Sequence, residues 1–215
     1  MRAAIGRMWR RRRGLGGEFD EPESSDRARL LSTRWNEIWP GSEPAGHLLR
    51  STYPERWVRF HSLPDGKRYA ETAAESDVIL DRHLAVLRDL LPENESPRLL
   101  LIAQEWDRAD LAGGWTRTTA VAWWPWRTHT EPDGDEFPSP TTYFWAADVG
   151  TPTDLVPLLR LVADDRAHLL VAPPSLEWIY APYDGGADIL FTDLSRRGTL
   201  AAAHSDWLSP RPDGL

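Results

Sequence analysis

The 215-residue chain contains no cysteine, which removes disulfides, thiolate nucleophiles, iron–sulfur clusters and thiolate zinc sites together. A chain of this size needs no such staple, because it buries roughly 70% of its unfolded surface. Lysine is nearly missing: Lys67 is the single example among 25 basic residues. No stretch approaches the ~20 apolar residues of a membrane span, and no apolar segment follows the basic start as in a secretory leader. A cytoplasmic location without membrane contact is the expectation. A P-loop, a G-x-S-x-G elbow and an H-E-x-x-H helix are also missing, and "GLGG" at residues 14–17 follows no strand. We therefore assign no catalytic residue and expect neither cofactor nor metal.

What is present is unevenly charged. "MRAAIGRMWRRRR" holds six arginines and no acid, leaving 19 basic against 33 acidic residues in the remainder, 14 negative charges in excess. Such a field disfavours nucleic acid and favours cationic ligands or a basic protein partner, and it also keeps soluble proteins soluble. Contact with nucleic acid is confined to residues 1–13. Residues 1–22 read as a flexible basic tail, with Met8 as an alternative start, and 23–215 as one domain; the pattern sets no oligomeric state.

Apolar spacing predicts four helices, near 25–39, 72–91, 153–163 and 195–208. Thr153 is the expected cap of the third. Strands are predicted at "RWVRFHSL", "RLLLIAQEW", "TTAVAWWPWRTH", "TTYFWAADV", "AHLLVA", "LEWIYA" and "ADILFT". Pro125 makes the third of these an edge or a bulge, and the acidic insert "TEPDGDEFPSP" after it reads as a solvated hairpin loop. Links as short as "PPS" and "PYDGG" require antiparallel neighbours. The fold class is α+β, a single domain with a mainly antiparallel sheet of about six strands packed with four helices.

In "WIYAPYDGGADIL" (residues 178–190), Asp184, Gly185 and Gly186 are explained by a tight reversal, with glycine supplying φ > 0. Asp188 shares a face with Leu190 in a strand that otherwise looks buried, so it needs a partner. Arg59 and His61, on one face of another strand, are the natural candidates. The outcome is a structural ion pair, an exposed hairpin flank or a ligand-facing cluster. "RFHSLPDGKRY" adds Arg68, Lys67 and Tyr69, a set able to hold a carboxylate or phosphate or to neutralise Asp184, Asp188 or Glu71 internally. A metal trio of His47, His61 and Asp188 would require the fold to assemble it. Of the tryptophan-rich run Trp123, Trp124 and Trp126, the adjacent pair must face opposite ways; an exposed cluster would mark a partner surface.

"GHLLR", "ERWVRFHSLPDGKRYAE", "IYAPYDGGADIL" and "DWLSPRPDGL" together resemble a bacterial family, abundant in actinomycetes and present in bacilli, known as a domain of unknown function. The resemblance runs from about Trp39 to Leu215, leaving the basic tail and the acidic insert outside. It implies no activity, cofactor or catalytic residue. Proximity of some relatives to secreted-toxin loci hints at an immunity role. The leading expectation is accordingly a non-catalytic binding protein, an immunity-type inhibitor of a basic protein toxin. The alternative is an enzyme or small-molecule-binding protein with a pocket built from Arg59, His61, Arg68, Tyr183, Asp184 and Asp188.

Overall fold

A computed structural model describes residues 25–91, 98–106, 114–130, 141–209 and 211. The basic tail, "PENESP" at 92–97, residues 131–140 of the acidic insert and most of the proline-rich end lie outside the described residues.

Helix α1 (Asp26–Ile38) starts where Ser25 accepts a hydrogen bond from the Ala28 amide. Its buried edge is Ala28 and Trp35, followed by Trp39. Both indoles satisfy their N–H inside, Trp35 on the Ser42 carbonyl at 2.8 Å and Trp39 on that of Leu176 at 3.0 Å. Helix α2 (Gly46–Thr52) was not expected from the sequence. It lies so tightly on the sheet that a Cβ at Gly46 would come within 2.9 Å of the Ala181 Cβ.

The sheet comprises β1 (Trp57–His61), β2 (Leu99–Trp106), β3 (Trp124–Thr130), β4 (Thr141–Val149), β5 (His168–Ala172), β6 (Trp178–Tyr183) and β7 (Gly186–Phe191). Its order is β1-β7-β6-β5-β2-β4-β3, and every neighbouring pair is antiparallel. Among the described residues, seven strands thus stand where about six were expected, and five helices where four were. Pro125 is both at an edge and beside a register shift, because a residue without an N–H cannot continue an interior ladder. β3 begins only at Trp124; Trp115–Thr118 form a 3-10 turn.

Alternation along the strands sends successive residues to two separate cores. Leu99 and Leu101 of β2, Val171, Tyr180 and Ile189 pack with α3 (Ala73–Leu90), α4 (Val156–Ala163) and α5 (Leu194–Ala203). Leu100, Ile102, Leu170, Ile179 and Leu190 pack with Trp35, Trp39 and Leu49 from α1 and α2. The result is an antiparallel sheet covered on both faces, of the α+β class. α3 opens with a capping box in which Thr72 and Glu75 satisfy each other's amides. The turn before α4 is capped by Thr151 with Asp154, not by Thr153, since a 3-10 turn over Pro152–Leu155 precedes the helix. α5 ends at Ala203, and Leu208 then forms an antiparallel bridge with Phe60 beside β1. Among the described residues no helix is long and apolar enough to cross a membrane.

Candidate functional site

The β6–β7 hairpin is closed by Tyr183 opposite Gly186, so Asp184 and Gly185 are its two loop residues. Neither glycine takes the left-handed backbone, which corrects the expectation of φ > 0. Their small size answers a different demand. A Cβ on Gly186 would sit 2.0 Å from the Phe60 carbonyl oxygen, so β1 approaches this strand too closely for any side chain. Ile179 and Ile189 are fully buried, as interior strands require.

Register places Arg59 of β1 directly opposite Asp188 of β7. The pair is a two-pronged fork: Arg59 donates Nε–H to Oδ1 at 2.7 Å and Nη2–H to Oδ2 at 2.9 Å. Trp57 donates its indole N–H to Oδ1 at 2.8 Å, and Arg50 of α2 reaches Oδ2 at 3.3 Å. Four donors thus meet a carboxylate only 5% exposed. Burial alone would lower the Arg59 pKa, but the hydrogen bond and charge of Asp188 raise it above the usual value. Tyr183 stacks on the same guanidinium, 4.8 Å from its ring centre. Burial pushes that phenol up to about 12, so it stays protonated. The second carboxylate, Asp184, is also buried and is bound by the Arg68 Nε–H at 2.6 Å.

Arg50, Arg59, Arg68, Tyr183 and Asp188 surround a cleft of about 480 Å³ on the α2 side of the sheet. It opens where β5 and β6 part: they are registered only through Val171 opposite Tyr180, and Pro182 has no N–H to offer a neighbour. Of the residues singled out in the sequence, Arg59, His61, Arg68, Tyr183 and Asp188 line the cleft. Asp184 stands beside it through Arg68. His61 is not among the partners of Asp188; burial, reinforced by the positive charge of Arg59, lowers its pKa and keeps the ring neutral near pH 7.

Sequence reasoning passed over Arg50, Trp57, His168, Gln104 and Trp106. The last three share one sheet face, β2 and β5 delivering them to the same end of the sheet as His61 and Tyr183. Strand alternation carried that facing; the strand order that unites them did not. His47, His61 and Asp188 do line one cleft, yet among the described residues no three such side chains are grouped to hold a metal ion. Asp188 has both oxygens committed to arginine and tryptophan.

No curated protein and no solved structure matches the chain. One family model does, over residues 45–212, which takes in α2, all seven strands and every residue of the cleft except Pro44. α1 falls outside that span, although Trp35 and Trp39 complete the core beneath the site. By that match the chain belongs to DUF3885, a family described as a domain of unknown function.

Proposed function

We propose that this protein binds a small anionic molecule, one bearing a carboxylate or phosphate, in the cleft beside the β6–β7 hairpin. A single observation carries the reading: Arg50, Arg59, Arg68, His47, His61 and His168 converge on one cleft, while its carboxylates are already neutralised. Arg50 spends one long contact on Asp188, leaving most of its five N–H donors for a ligand. A cationic ligand would meet only carboxylates that are occupied.

Ligand-observed NMR and calorimetric titration with acetate, benzoate and inorganic phosphate test this. Saturable binding of at least one anion is expected, weakened about tenfold or more in Arg50→Ala, the scale of a charge-assisted hydrogen bond. Absence of binding for all three, or an affinity indifferent to Arg50→Ala, overturns it.

A second reading, an immunity-type inhibitor masking a basic protein toxin, is supported by the 14 negative charges in excess beyond residue 13. The tryptophans that suggested a partner surface add little to it, because Trp126 and Trp124 are buried. The aromatic pair faces opposite ways as required, with Trp124 inside and Trp123 half-buried. Under this reading a basic protein co-purifies from the native host and is released by salt; Arg50→Ala leaves that capture intact.

A further inference from the structure

Resting on the anion-binding reading, we infer that the cleft takes an elongated monocarboxylate whose apolar body runs from the arginine end across the sheet to Trp106. Charge balance sets the head. Three guanidiniums, from Arg50, Arg59 and Arg68, face two carboxylates, Asp184 and Asp188. One positive charge is therefore left for the ligand at a pH where the histidines are neutral, which matches a monoanion and leaves a phosphate dianion over-charged. Arg50 contributes the open guanidinium, whose planar fork fits a carboxylate.

Strand order sets the length. Asp188 stands on β7 and Trp106 on β2, with β6 and β5 between them. Three strand spacings across the sheet amount to about 14 Å, and Trp106 lies four residues along β2 beyond Ile102, the residue in line with Asp188, so the span exceeds that of a single-ring acid. The floor in line with Asp188 is apolar, since Ala181, Leu170 and Ile102 present no polar side-chain atom, and His168 and Gln104 line the rest of the way to Trp106. At the far end Trp106 meets the ring of His168 edge-on at 4.7 Å, forming an aromatic wall. From β2, the Gln104 amide and the Trp106 indole N–H are the hydrogen-bonding groups in the cleft lining.

The decisive experiment is a chain-length series at pH 8 on the full chain: acetate, hexanoate and decanoate, each below its micelle concentration, with inorganic phosphate and dibutyl phosphate alongside. Affinity is expected to rise by up to about fourfold per added methylene, the value of burying one CH₂. Trp106→Ala should remove the gain from hexanoate to decanoate without altering acetate, and Trp106→Leu should restore part of it. If acetate and decanoate bind alike, the elongated apolar body is refuted while the anion site stands. Tighter binding of either phosphate than of every carboxylate refutes the carboxylate head. Failure of all five probes refutes the anion site itself, and this inference with it.

Discussion

On the face of the sheet covered by α3, α4 and α5, the strands stay apolar to their ends, through Phe60, Leu169, Tyr180 and Ile189. A polar contact at its centre joins His83 Nδ1 and the Tyr180 hydroxyl, 2.5 Å apart and both buried. One residue along the same strands, the other face ends in Arg59, Asp188, Tyr183, His168 and Gln104. There α1 and α2 seal only the aromatic half, with Trp35, Trp39 and Leu49. The contrast shows why the cleft lies where it does. Helices can close over strand residues that lose nothing by drying, whereas charged strand ends need partners or water. The fold therefore leaves one end of one face partly open and neutralises what it must bury.

Substitutions on the two faces sharpen this contrast. The largest effect belongs to the charged face: Asp188→Ala leaves Arg59 and Arg50 without their counter-charge and should cost about 4 kcal/mol in urea unfolding. A cost under about 1 kcal/mol would mean that the ion pair is incidental to the fold.

On the closed face the corresponding prediction concerns pH. Burial pushes His83 down to about 4 from its ordinary 6.5, and its Nε2 has no partner among the described residues. Below pH 6.5 the unfolded chain takes up a proton that the folded chain refuses, so stability falls as pH drops toward 4. The loss is about 3 kcal/mol across that window. His83→Gln should flatten this slope; an unchanged slope would assign it to other groups.

Gly186→Ala should cost about 2 kcal/mol by driving a methyl into the Phe60 carbonyl. Gly185→Ala should cost less, because its nearest obstacles are the side chains of Tyr183 and Arg68, which can shift. Equal costs would return the explanation to backbone conformation. The smallest effect is Thr72→Ala, about 1 kcal/mol from losing the α3 cap. Ligand affinity should be unaffected, since the cap lies outside the cleft.

Much of this arrangement could be read from local pattern. The stripe from Ile79 to Leu90 announces α3, and the alternation of Trp57, Arg59 and His61 with Val58 and Phe60 announces a two-faced β1. Asp188 beside Leu190 demanded a partner, and Arg59 proved to be it. α2 escaped because its seven residues bury only Leu49 as a large apolar side chain, too few for a stripe. Arg50 escaped with it. The hairpin was placed correctly, but of its glycines only Gly185 lies in the turn, while Gly186 opens β7, where the approach of β1 depends on contacts more than 120 residues apart in the chain.

Composition, alternation and turn chemistry were enough to establish a mainly antiparallel α+β sheet and to name Arg59 as a partner that Asp188 would need if buried, since each depends on neighbours within a few residues. That β2 and β5 bring Gln104, Trp106 and His168 alongside Arg59 was settled only by the order in which the strands assemble. That order follows from packing two cores at once, and no short stretch of chain encodes it.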